Sequence, residues 1–490
     1  MPRHPFGGRG VTAAASRLLW WASVLLLAAT LLAPRAAWAQ SRLPAELSQA
    51  LLQAAIPETA IGLYVHEIGA AGPVLAVGAG RALNPASTMK LLTTYAALDL
   101  LGPAHTWPTE VYATGPLAQE VLSGDLVIKG YGDPRLTLEN FWLLLRELRS
   151  RGVREIRGDL VLDRGHFAAN GFNTSAFDGE PTRPYNTGPD ALLVNFKAVR
   201  LTFIPEPASR SVRITVEPPL RELAVANRIT LDNAPCGDWE TRLKLDPQDG
   251  AERARLAFTG SFSAACGERV RHYSVLGHPQ YVASVFRELW SELGGTFAGK
   301  VRDGEAGADA RLLARAQSPT LSEIVRDINK FSNNVMARQL FLTLGAARDG
   351  PPGTTEKANR VIRQWLAQKA LAMPELVIEN GSGLSRIERI SAQSLGRLLL
   401  VAFSSSLMPE FIASLPLAAV DGTMKKRLNG AGVAGQAHIK TGLLTGVRAI
   451  AGYVLDARGR RVAVVFIVNH ANYGAAQAAQ DALLTWVYTR

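Results

Sequence analysis

Cysteine is almost absent: the chain has two, Cys236 and Cys266, in 490 residues. Two thiols cannot by themselves build a four-ligand zinc site. The metalloprotease signature H-E-x-x-H is missing and the eight histidines show no ligand spacing, so neither a metal nor a cofactor is expected. There is no long basic block with interleaved aromatics, which argues against nucleic acid as a partner. Low-complexity tracts and internal repeats are also absent, and 47% of residues are hydrophobic, so the chain reads as globular. Past the first forty residues, no apolar run reaches the roughly 20 residues that a membrane-spanning helix needs.

Hydrophobicity is concentrated at the start. Arg3, Arg9 and Arg17 precede an apolar core, Leu18 to Leu32, and Ala37-Trp38-Ala39 is a small-x-small site. This is the layout of a cleavable secretory signal over residues 1–39, with the mature chain beginning at Gln40. The competing reading, a membrane anchor, asks for a longer apolar run. Export to the periplasm, with no permanent membrane anchor after cleavage, is the expectation. In an oxidising compartment Cys236 and Cys266 are expected to form a disulfide. The formal net charge of +11 falls to +7 without the four arginines of the signal, leaving 49 basic against 42 acidic residues. That mild excess suits an anionic polymer, and is equally an ordinary solvated surface.

The remaining chain, about 450 residues, is too long for one core. Helical spacing over 44–56 is followed by two strands, "IGLYVHEIG" and "PVLAVGAG". A buried helix then runs from Ser87 until Gly102 stops it. After Pro103 the pattern changes to a small α/β unit, with strands around a helix from Thr137 to Arg151. From Val194 alternating strands dominate. Helices resume at Pro279, and the chain closes with a hairpin turned at Asp456–Gly459 and a last helix. The fold class is read as α/β. One domain with an antiparallel sheet and flanking helices is split into 40–103 and 272–490. Residues 104–271 interrupt it, about 104–193 as α/β and about 194–271 as β-rich.

Three short motifs stand in order on these elements: Ser87-Thr88-Met89-Lys90 opening a helix, Ser332-Asn333-Asn334 between two helices, and Lys440-Thr441-Gly442 on a late strand. Each alone is weak, and Ser87 could be a helix cap. Together they are the S-x-x-K, S-x-N and K-T-G set of penicillin-binding proteins and serine β-lactamases. The large insertion directly after the first motif makes the chain resemble the low-molecular-mass class C penicillin-binding proteins, the D-alanyl-D-alanine carboxypeptidase/endopeptidase family. "GYGDPRLT", "IRGDLVLD", "NGSGLSR" and "DGTMKKRL" look like that family's own phrases. Leu443 departs from it, since relatives often carry Thr or Ser there.

The chemistry fits these residue types. Positions i and i+3 share a helix face, so Lys90 lies beside Ser87. A serine needs a base to become a nucleophile, and burial with Lys440 nearby would lower the Lys90 pKa enough. Ser332 would relay a proton to the leaving amine, and Asn334 would bind the substrate amide. Lys440 supplies positive potential, and Thr441, with Gly442 and Leu443 on the same strand, holds the peptide carboxylate. The resemblance implies an oxyanion hole from the Ser87 and Leu443 backbone N–H groups. It also implies a substrate-recognising aspartate near 176–193. Asp178 is nominated for the ammonium of a diaminopimelate side chain, with Tyr185 packed beside it; the rival reading is a solvated loop aspartate. Arg386 is a further candidate carboxylate partner.

The expected substrates are peptidoglycan stem peptides, with β-lactams as covalent inhibitors. The alternatives are a β-lactamase on the same scaffold and a non-catalytic cell-wall binding protein.

Overall fold

The central sheet is assembled from both ends of the chain. In spatial order its strands are Ala437–Leu444, Val447–Leu455, Arg461–Asn469, Ile61–Glu67 and Leu75–Val77, all antiparallel. The computed structural model describes residues 42–169, 171–249 and 253–490. The signal segment 1–39 and Gln40 lie outside the described residues. Residues 43–490 form one compact unit, and none of the described helices is long and apolar enough to cross a membrane.

Strand Arg461–Asn469 shows why the sheet is an interior layer. Its run "VAVVFIV" is buried throughout. Ala463, Val465 and Ile467 point into one core, while Val462, Val464, Phe466 and Val468 point into another. A strand covered on both faces carries a continuous apolar run rather than an alternating one. The first core holds the helix Lys90–Leu101, through Leu91, Leu92, Tyr95 and Leu98. The second holds the terminal helices Ala45–Gln53 and Ala476–Thr489. Helix Lys90–Leu101 is buried nearly all round and ends at Gly102, whose φ of 84° suits glycine alone.

The inserted region begins with a second five-stranded sheet, ordered Val301–Asp303, Leu160–Asp163, Leu126–Gly130, Pro108–Ala113 and Arg311–Gln317. Helix Leu138–Ser150 packs on it with Phe141, Leu144, Leu145 and Leu148, at helical spacing. Two three-stranded sheets follow over 199–273, and Cys236 and Cys266 are joined there by a disulfide.

The return to the first domain differs from the reading at 272. Helix His278–Glu292 buries Tyr281, Val282, Val285 and Phe286 in the core of the insertion. The strands up to Gln317 pair with strands of the insertion. Periodicity marks that helix as amphipathic, and says nothing about which core its apolar face enters. "IRGDLVLD" forms two short strands, Glu155–Ile156 and Leu160–Asp163, in different sheets.

Candidate active site

Ser87 lies in a 3-10 turn, Ala86–Met89, and Lys90 is the first residue of the helix that continues it. The turn is held from several sides. Asn84 Oδ1 accepts the Ala86 N–H at 2.9 Å, and Asn84 Nδ2 donates to Ser385 O at 2.8 Å. Asn469, at the end of a central strand, exchanges hydrogen bonds with the Asn84 backbone at 2.8 and 2.9 Å. Ala86 has φ 46°, a conformation costing a non-glycine residue about 1–3 kcal/mol that only a rigid surround maintains. Two glycines make that surround close-fitting. A Cβ on Gly442 would meet Pro85 O at 2.8 Å and Ser87 N at 3.1 Å, and one on Gly383 would meet Ala86 O at 2.0 Å. The K-T-G strand and the "NGSG" loop therefore both press on the backbone of Ser87. Among the described residues no capping bond occupies the Ser87 hydroxyl; its neighbour is Lys90 Nζ at 3.0 Å.

Lys90 is fully buried, and its amine also donates to Asn334 Oδ1 at 2.6 Å and to the carbonyl of Ser382. Burial, then the positive charges of Lys440 and Arg338, hold it well below the ordinary lysine pKa. Lys440 is also fully buried, and donates to Ser332 Oγ at 2.8 Å and to Thr441 O at 2.7 Å. Burial pushes its pKa down to about 7. The hydroxyls of Ser87, Ser332 and Thr441 belong to partly exposed residues, while the two amines sit behind them.

The S-x-N turn has its own local logic. Helix Leu321–Phe331 starts with a Thr320–Glu323 capping box and ends at Ser332 with φ 57°. Asn333 then caps helix Asn334–Asp349, its side chain accepting the Met336 N–H at 3.0 Å. Lys330 is tied to Asp421 at 2.7 and 2.9 Å, which sets "DGTM" against the K-T-G strand, where Thr423 and Thr441 hydroxyls meet at 2.8 Å.

Leu443 is exposed at the cleft edge. Asp178 is an exposed loop residue whose carboxylate accepts from Tyr185 Oη at 2.8 Å, Asn186 Nδ2 at 2.7 Å and the Glu180 N–H at 3.0 Å. Tyr185 is thus a hydrogen-bond donor to Asp178 as well as its neighbour. Phe177, beside Asp178, packs on a cluster containing Ala86 and Leu384, so this loop borders the cleft. Arg386 lies over the Phe177 ring at 4.4 Å.

Two buried charges escape the sequence reading. Glu388 Oε1 accepts the N–H groups of Glu379, Asn380 and Gly381 at 3.0–3.1 Å, which fixes the loop that turns Ser382 O toward Lys90. Arg338, one turn beyond Asn334, donates to the carbonyls of Tyr185 and Thr187 at 3.0 and 2.9 Å. Charged residues in such segments read as solvated, and no sequence signal marks them otherwise.

The fold is that of the penicillin-recognising serine enzymes. Residues 43–489 match the model of the D-Ala-D-Ala carboxypeptidase 3 (S13) family, and the chain belongs to that family. It is 31% identical to a D-alanyl-D-alanine carboxypeptidase of Actinomadura sp. (strain R39), over 97% of this chain and 90% of that protein. The crystal structure of penicillin binding protein 4 (dacB) from Haemophilus influenzae superposes with a TM-score of 0.77 at 23% identity, covering 91% of this chain and 99% of that one. Bd3459, a predatory peptidoglycan endopeptidase from Bdellovibrio bacteriovorus, superposes with a TM-score of 0.50 at 15% identity, covering 87% and 92%.

Proposed function

We propose that the protein is an exported, periplasmic D-alanyl-D-alanine carboxypeptidase that acts on peptidoglycan stem peptides through an acyl-enzyme on Ser87. The observation that carries this reading is the surround of Lys90. A neutral amine has two N–H bonds and one lone pair. Asn334 Oδ1 and Ser382 O take the two N–H bonds, and the lone pair is left for the proton of the Ser87 hydroxyl at 3.0 Å. Burial beside a second cation favours that neutral form.

Ser87 Oγ gives its proton to Lys90 and bonds to the carbonyl carbon of the D-Ala–D-Ala link. The backbone N–H groups of Ser87 and Leu443 face the developing oxyanion. The C–N bond breaks, and the proton that Lys90 accepted passes to the leaving amine through Ser332, which is hydrogen-bonded to Lys440, so that Lys90 is neutral again. Thr441, Gly442 and Leu443 border the terminal carboxylate, and Asn334 the substrate amide. Water then attacks the ester, with Lys90 accepting its proton and passing it to the departing Ser87 oxygen, which frees the shortened peptide and restores the Ser87 hydroxyl. β-Lactams would acylate the same serine.

Asp178 stands at the cleft border and is oriented by Tyr185, whose hydroxyl remains protonated because burial and Asp178 push its pKa up to about 12. It would receive the diaminopimelate ammonium. DD-endopeptidase action on cross-links uses the same steps with a larger leaving amine; the endopeptidase among the structural neighbours supports it. The test is incubation of the purified enzyme with monomeric and cross-linked muropeptides, read by mass spectrometry, with fluorescent penicillin labelling on a denaturing gel. D-Alanine release with a long-lived label is expected. Rapid penicillin turnover without D-alanine release would favour a β-lactamase, and no label a binding protein.

A further inference from the structure

Two cavities run from the S-x-N turn into the inserted region, and they share Arg183, Glu240 and Arg271. The nearer, about 570 Å³, is lined by Ser332, Asn333 and Asn334, together with Tyr185 and Phe331. The farther, about 530 Å³, lies between the 179–183 loop and Tyr273. Apolar side chains stand open to water along the nearer one: Phe331 is 67% exposed, Tyr185 40% and Val270 36%.

The farther cavity contains unsatisfied polar groups. Tyr273 is 1% exposed and its hydroxyl has no hydrogen-bond partner among the described residues. Tyr273 lines this cavity together with Arg271, Arg183 and Glu240. Arg271 lies over the Tyr273 ring at 5.3 Å, and its Nε also lacks a partner. Both arginines hold Glu240 at long range, 3.4 Å from Arg271 and 3.9 Å from Arg183. The pair between Lys330 and Asp421, by contrast, closes to 2.7 Å. Buried donors without acceptors are rare in folded proteins, and an acceptor supplied by a ligand relieves them.

We infer that this groove binds the acidic peptide attached to the leaving amine when the substrate is a peptidoglycan cross-link, with Arg183, Arg271 and Tyr273 as its carboxylate-binding residues. The inference rests on the proposed reaction, in which Ser332 passes the proton to that amine. Whatever the amine carries must therefore leave past the S-x-N turn, where the groove begins. Free D-alanine is far too small to fill it. A second stem peptide, which bears free carboxylates, can extend along the exposed Tyr185 and Phe331 and end on two loosely held guanidinium groups.

The experiment compares the wild-type enzyme with Arg271→Ala and Tyr273→Phe on two purified substrates, a monomeric pentapeptide and a cross-linked muropeptide dimer. Melting temperatures are measured alongside, and Tyr273→Phe should lose no stability because its hydroxyl has no hydrogen-bond partner among the described residues. Both variants should lower kcat/KM on the dimer about tenfold or more, the worth of a hydrogen bond to a charged group. Release of D-alanine from the monomer should stay within about twofold. Equal losses on both substrates, no loss on the dimer, or a wild-type enzyme that trims the monomer but leaves the dimer intact would each overturn the groove assignment. A wild-type enzyme inert on both substrates would refute the proposed reaction itself, and the groove with it.

Discussion

The Lys90–Lys440 cleft and the Asp178 loop both handle charge, and they do so in opposite ways. In the cleft two amines are fully buried, and neither forms an ion pair among the described residues. Removing water lowers their proton affinity, which makes an amine a usable base near neutral pH. In the loop a carboxylate stands in solvent, oriented by three donors from its own neighbourhood. The proposed chemistry depends on destabilising a charge, whereas the proposed recognition depends on orienting a carboxylate. The strain follows the same division: Ala86 and Ser332 hold positive φ at the cleft, while the loop around Asp178 places its positive φ on Gly179.

The largest expected effect comes from removing the nucleophile. Ser87→Ala should abolish penicillin labelling and cut peptide turnover by at least about 10⁴-fold, leaving only binding and the oxyanion site. A labelled Ser87→Ala protein on the gel would mean another serine attacks.

Next is the base. Lys90→Ala should slow acylation roughly 100- to 10,000-fold with the fold intact by circular dichroism. Normal acylation by that variant would break the contrast drawn above, because the buried amine would then have no special task.

The pH profile sharpens the same contrast. Below its lowered pKa Lys90 is an ammonium and cannot take the Ser87 proton, so kcat/KM should fall roughly tenfold per pH unit on the acid side. Lys440 carries its charge below about 7 and loses it above, so binding of a carboxylate-terminated peptide should weaken on the alkaline side. A bell is expected, and Asp178→Ala should leave its shape unchanged. A flat profile with chemistry rate-limiting would count against both lysine assignments.

Asp178→Ala should reduce the preference for a diaminopimelate peptide over an uncharged analogue by roughly 1.5–3 kcal/mol, the range for a charge-assisted hydrogen bond. Equal losses on both peptides would return Asp178 to the status of a solvated loop residue.

The smallest effect on activity should come from the disulfide. Reducing Cys236–Cys266 should cost roughly 3–4 kcal/mol of stability in the chain-entropy model, seen as a lower melting temperature, while penicillin labelling well below melting is unchanged. Loss of labelling at low temperature would show that the inserted region and the cleft unfold together.

The sequence disclosed most where a local pattern and a chemical need coincide. Ser87 and Lys90 are three residues apart on one turn, the S-x-N motif sits between two capped helices, and the final hairpin turns at Asp456–Gly459. It disclosed least where burial comes from distant chain. Glu388, in "LSRIERIS", looks like a surface acid, yet it is fully buried and organises the loop behind Lys90. Arg338 looks like the wet face of a helix and is 3% exposed. The apolar face of helix His278–Glu292 was legible, but the core that receives it was not.

The central sheet also sets an order of events as the chain is made. Leu63 pairs with Phe466, roughly 400 residues later, whereas Val199–Glu206 pairs with Ser211–Glu217 across a short turn. Contacts that distant form late, after local ones. A chain stopped before Val447 already contains Ser87, Lys90, Ser332 and Lys440, yet lacks the two inner strands between which its first and last segments must be joined. Such a chain holds the four residues without the sheet that brings them together.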